Sequence, residues 1–205
     1  MRDSDVVVVG SAPLPDKAYE AIQKSQRLIC VNGSTSSVKD KLIDVWVLNS
    51  RQYDDSLYTD PTRWPTERKH LHEQMLIQTK NRSVRHICFL QKSKNSDQTI
   101  AKLKAQNVRW RGQTELHTGQ KTDLVCRAGV KRFSIAFNIS AGLFGACLAL
   151  VAKAKTITLC GFSYHDKYAY LAETLPNTRK HIEQDQEALS QLLVKHSDRL
   201  QILWS

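Results

Sequence analysis

A chain of 205 residues with 41% hydrophobic and 24% charged residues supports one sizeable core; this excludes a disordered chain and leaves no room for two large domains. Its formal net charge of +10 predicts attraction to polyanions, whether nucleic acid, an anionic membrane face or a phosphorylated small molecule, without choosing among them. No apolar run reaches the roughly 18 residues of a membrane span, and strand-like sequence begins at Asp5, so no leader is expected. The five cysteines, Cys30, Cys88, Cys126, Cys147 and Cys160, are odd in number, widely spaced and without a CxxC pair. Four lie in or beside apolar runs, where a free thiol behaves as a small hydrophobe. That usage fits a reducing compartment, so a cytoplasmic protein is expected.

In chain order, "DVVVVG" (Asp5 to Gly10) reads as a strand buried on both faces. "SAPLP" is a loop, and Asp16 is a candidate N-cap for a helix to about Ser25. "RLICVNGS" (Arg27 to Ser34) and "DVWVLNS" (Asp44 to Ser50) are a second and third strand. The segment from Arg51 to Lys80, with Pro61 and Pro65, reads as a long loop and then a helix. "RHICFLQ" (Arg85 to Gln91) is a fourth strand, followed by a helix from about Asp97 to Gln106 and a short strand at "NVRWR". A helix from Ser140 to Lys153, the strand "KTITLCGF", a helix from Thr178 to His196 and the strand "RLQILW" complete the chain. Alternating strands and helices predict an α/β fold over residues 1–205 as one domain: a single doubly wound, mostly parallel, Rossmann-like sheet.

The strand ends share a character. Gly10-Ser11, Asn32-Gly33, Asn49-Ser50 and Gly161 each follow a hydrophobic strand directly. In open parallel sheets ligands bind outside the carboxyl ends of the strands, where small and amide residues leave room and supply hydrogen bonds. The same residues are also plain turn formers. Ser140-Ala141-Gly142 opens the most apolar helix of the chain. A helix N-terminus offers unpaired N–H groups and a partial positive charge to a phosphate or carboxylate, though a Ser there also serves as a simple N-cap.

The order of these pieces resembles the sialyltransferase-like glycosyltransferases, the group of the bacterial family 42 enzymes and the animal sialyltransferases. The motifs are "VVVVGSAPLP", "ICVNGS", "DVWVLNS", "ISAGLFGACLALVAKAKTITLCGF" and "RKHIEQDQEALSQLL" before "RLQILW". The resemblance spans most of the chain and is weakest from Arg51 to Lys131. It implies a CMP-sugar donor carrying sialic acid or a Kdo-like acidic sugar, a carbohydrate or glycolipid acceptor, and inverting transfer with no metal or other cofactor. It also implies roles. Gly10, Ser11 and Ala12 would face the donor phosphate and ribose, and Asn32 and Asn49 would hold the nucleotide or sugar. Ser140, Ala141 and Gly142 would bind the donor carboxylate or phosphate. Tyr164, with Tyr168 or Tyr170, would hydrogen-bond the departing phosphate, and His181 would be the general base. His165, beside Asp166, is the second choice of base. A short lid over about residues 162–180 and peripheral docking at the inner membrane face, where lipooligosaccharide precursors are made, are further expectations.

The residue types suit this chemistry: His titrates near neutrality, and Tyr hydroxyls with a helix N-terminus stabilise a leaving phosphate. Asp54 and Asp55 are adjacent, not spaced as in the DxD pair of a metal-dependent transferase. Other features point elsewhere. His70 and His72 form an HxH beside Glu73, but residues two apart do not share a helix face, which favours an exposed polar reading. Trp110 between Arg109 and Arg111, with Lys131, Arg132 and Phe133 further on, suits stacking on single-stranded nucleic acid. A nucleic-acid-binding or other nucleotide-binding α/β protein without transferase activity is therefore the alternative. The first loop lacks GxGxxG spacing, which disfavours a dinucleotide fold.

Overall fold

Four consecutive β-branched residues, Val6 to Val9, give β1 (Asp5–Val9) no polar face to turn to water, and it lies inside the sheet with both faces covered. The computed structural model describes residues 1–38, 41–49, 53, 66–90, 96–163 and 182–204. It contains the strands β2 (Arg27–Val31), β3 (Ile43–Leu48), β4 (Ser83–Phe89), β5 (Arg109–Glu115), β6 (Thr156–Phe162) and β7 (Leu200–Trp204). The helices are α1 (Asp16–Lys24), α2 (Thr66–Gln78), α3 (Ser96–Ala105), α4 (Thr118–Ala128), α5 (Phe133–Asn138), α6 (Ala141–Val151) and α7 (Ile182–His196). A 3-10 turn covers Asn32–Ser37.

The seven strands are ordered β5-β4-β3-β2-β1-β6-β7, and every pairing is parallel. The chain winds outward from β1 to β5, then crosses back to lay β6 on the other edge of β1. The direction of winding therefore reverses between β1 and β6, the place where an open α/β sheet opens a crevice at its carboxyl edge. Side-chain alternation divides the core. Val6, Val8, Ile29, Val31, Ile157 and Leu159 face α4, α5, α6 and α7. Val7, Val9, Cys30, Trp46, Leu48 and Phe89 face α1, α2 and α3. α6 is buried on almost every side, from Ala141 to Leu150, which explains its uniformly apolar sequence.

Three expectations change. Pro15, with extended backbone at φ −69 and ψ 156, holds the N-cap position of α1, and Asp16 is its first helical residue. The acidic side chain there favours the helix through its dipole rather than as a cap. The short strand at "NVRWR" extends to Glu115, because β4 offers it a parallel partner from Ser83 to Phe89. Two helices had no sequence signature: α4 is largely polar, with Thr122, Val125 and Ala128 as its buried residues, and α5 has six residues. The last long helix is described from Ile182 onward, and of the expected lid only Phe162 and Ser163 are among the described residues.

Candidate functional site at the carboxyl edge

At the end of β1 the chain meets the end of β6 backbone to backbone. Gly10 N–H donates to the Cys160 carbonyl at 2.7 Å, and Ala12 N–H donates to the Gly161 carbonyl at 2.9 Å. Gly161 has φ +67, a left-handed conformation that an L side chain rarely adopts. A Cβ on Gly161 would stand 2.9 Å from the Gly10 carbonyl oxygen, and one on Gly10 would fall on the Gly161 carbonyl. Both positions need glycine for this approach. Ser11 reaches across to β2, its Oγ 3.5 Å from the Val31 carbonyl. Ala12 is 1% exposed, so its side chain packs inside the loop.

The ends of β2 and β3 are joined through the two asparagines. Asn32 adopts φ 45, a conformation Asn tolerates better than most residues. Its carbonyl accepts the Trp46 indole N–H at 2.8 Å, and its Oδ1 accepts the Asn49 N–H at 3.3 Å. Ser34 accepts the Val31 N–H through Oγ at 2.8 Å.

The start of α6 faces the same edge. Ser140 is its N-cap, with Oγ accepting from Leu143 N–H at 3.4 Å. The peptide just before the helix is held at both ends. The Ile139 carbonyl accepts from Lys121 Nζ at 3.2 Å, and the Ser140 N–H donates to Asp185 Oδ1 at 2.8 Å. Burial pushes the Lys121 pKa below its ordinary value, and the nearby Asp185 charge opposes that shift. Among the described residues, the N–H groups of Ser11, Ala141 and Gly142 make no hydrogen bond. Phe162 links the two halves: a Cβ on Gly142 would stand 2.9 Å from its ring, and one on Gly10 would stand 3.2 Å from it. The aromatic ring thus lies between the β1 loop and the first turn of α6.

All eight expected donor-binding residues therefore fall on one edge of the sheet: Gly10, Ser11, Ala12, Asn32, Asn49, Ser140, Ala141 and Gly142. His181, Tyr164, Tyr168, Tyr170 and His165 lie outside the described residues, as does Ser50. Phe162, Lys121 and Asp185 were not singled out from the sequence as site residues. Phe162 carried a weak signal, in following Gly161 at a strand end. Lys121 and Asp185 carried none, being ordinary charges on polar helix faces. Among the described residues, no three His, Cys, Asp or Glu side chains converge as a metal-ligand set, and His70 is exposed.

No family model and no curated protein sequence matches the chain. Its fold is that of the sialyltransferases. The solved structure of CstII from Campylobacter jejuni with cytidine-5'-monophosphate aligns at TM-score 0.53 and 16% identity, covering 100% of this chain and 81% of that one. CST-II in complex with a trisaccharide acceptor and CMP aligns at TM-score 0.55 and 18% identity, over 97% and 80% of the two chains. Monofunctional α-2,3-sialyltransferase Cst-I from Campylobacter jejuni aligns at 0.52 and 14%, over 98% and 75%.

Proposed function

We propose that the protein is a glycosyltransferase that moves an acidic sugar, sialic acid or a Kdo-like sugar, from a CMP donor to a carbohydrate acceptor. The observation that carries this reading is the convergence of the β1, β2 and β3 loops with the α6 N-terminus at the winding reversal. The fold it occurs on is shared with enzymes solved with CMP and with a trisaccharide. In this reading the unengaged N–H groups of Ser11, Ala141 and Gly142 receive the donor's phosphate and carboxylate. The helix dipole of α6 adds to their attraction. Asn32, whose Oδ1 is already engaged by Asn49, offers its Nδ2 to the nucleotide.

The transfer is inverting and needs no metal. His181, which directly precedes α7 in the chain, takes the acceptor hydroxyl proton as that oxygen bonds to the anomeric carbon. The bond to the donor phosphate breaks on the opposite side, and Tyr164 and Tyr168 donate to the leaving CMP oxygen. The acceptor is a glycolipid such as a lipooligosaccharide precursor, met at the inner membrane face, where the net charge of +10 favours anionic partners. No helix among the described residues is long and apolar enough to cross a membrane.

The basic nucleic-acid reading gains nothing from the fold. Arg109 to Arg111 lie on β5 at one edge of the sheet, whereas Lys131 and Arg132 lie beside α7, where the Lys131 backbone N–H donates to Gln191 and the Arg132 guanidinium donates to Glu187. The test is calorimetric titration of CMP and CDP against UMP, GMP and AMP. Selective cytidine binding, weakened about tenfold or more by Asn32→Ala, is expected, and donor hydrolysis then falls at least about 100-fold in His181→Ala. Equal affinity for all four monophosphates would sink the reading.

A further inference from the structure

We propose that Lys121 and Asp185 clamp the Ile139–Ser140 peptide from its two sides and so act as positioning residues for the donor site. The inference rests on the reading above, in which the Ala141 and Gly142 N–H groups hold the donor's anionic group. A trans peptide is a rigid plane with its carbonyl and N–H pointing in opposite directions. Here the carbonyl end is held by an ammonium from α4, at 3.2 Å, and the N–H end by a carboxylate from α7, at 2.8 Å. Hydrogen bonds to charged groups are the strong ones, and two of them on one peptide fix its orientation. That peptide leads into Ser140, whose backbone is still extended at φ −64 and ψ 162, and then into the first turn of α6. Tilting the plane would re-aim the next two N–H groups, those of Ala141 and Gly142.

Helix capping alone does not require this arrangement. The Ser140 hydroxyl already satisfies Leu143 N–H, and water can serve the remaining peptide groups. Desolvating a lysine is unfavourable, yet Lys121 is partly buried where it makes this contact. The pairing also answers an electrostatic problem. A lone carboxylate beside an anion-binding turn would repel the ligand, and Lys121 beside the same peptide offsets it.

The test is titration of CMP into wild type, Asp185→Ala, Asp185→Asn, Lys121→Met and the Asp185→Ala/Lys121→Met double variant, with a thermal melt of each to establish folding. Asp185→Ala and Lys121→Met are each expected to weaken CMP binding about tenfold or more, the scale of one charge-assisted hydrogen bond. Asp185→Asn keeps an acceptor for the Ser140 N–H and is expected to recover the affinity to within about threefold of wild type. The double variant is expected to be little weaker than either single one, because both side chains act on one peptide. Wild-type affinity in folded Lys121→Met, an Asp185→Asn as weak as Asp185→Ala, or full additivity would each overturn the clamp. Should Asp185→Ala not fold, Lys121→Met and Asp185→Asn decide alone. A wild-type protein without cytidine preference would remove the donor reading and the clamp with it, whereas selective wild-type binding with unaffected variants removes only the clamp.

Discussion

Gly161 is the position where the least chemistry carries the most geometry. It has no side chain, yet its left-handed backbone and the carbonyls of Gly10 and Ala12, each within about 3 Å of where a Cβ would stand, leave it no alternative residue. Gly161→Ala is expected to destabilise the protein by about 2 kcal/mol, from backbone strain together with overpacking. Urea unfolding followed by circular dichroism measures this, and a loss below about 0.5 kcal/mol would show that the two loops can part. Both glycines were legible in the sequence as residues at strand ends. Their contact was not, because nothing local reveals that a loop after Val9 and one after Cys160 share one space.

Among the elements, α6 is a core helix whose N-terminus is, in the proposed function, also a binding surface. Its side chains are buried against the sheet, so its N-terminal N–H groups are held in place by packing rather than by helix propensity. Ser140→Ala removes the one side-chain cap and is expected to cost about 1 kcal/mol of stability; differential scanning calorimetry would show it as a drop in Tm with an unchanged fold. Periodicity and β-branched runs disclosed α6 and most strands, because those elements are buried on both faces and cannot be written in polar residues. α4 escaped the same reading because it presents a broad polar face to solvent, with few apolar residues to mark a period. The site was readable to the same degree. Its loops announce themselves by Gly, Asn and Ser, whereas the clamp is made of a lysine and an aspartate that become neighbours only through packing of α4, α6 and α7.

For the whole molecule, five thiols without a disulfide make a probe of integrity. Cys30, Cys88, Cys147 and Cys160 are buried and Cys126 is exposed. Burial pushes the thiols of Cys88 and Cys160 up to about 12, and those of Cys30 and Cys147 higher still. One thiol per folded chain is therefore expected to react rapidly with a disulfide reagent, and five after denaturation. The same shifts set a sign for alkaline stability. Above the ordinary thiol value of 9.0 the unfolded chain loses protons that the folded one keeps, so stability falls as pH rises from there toward about 12. The lowered pKa values of Lys41 and Lys121, both set by burial, work in the opposite direction below 10.5, two groups against four. Denaturant midpoints between pH 8 and pH 11 would check the net decline.

The pairing of β1 with β6 has a consequence for synthesis. β1 lies inside the sheet, but the strand that covers one of its edges follows roughly 150 residues later, on the order of 10 s at ribosomal speed. As β2 to β5 are added in turn, the growing half-sheet keeps β1, with its four consecutive valines, at its rim, an open template for pairing with another nascent chain. The crevice at the winding reversal cannot exist before β6 closes that rim. The protein is thus exposed to aggregation until β6 has emerged and docked, and its candidate site forms in the same event that ends the exposure.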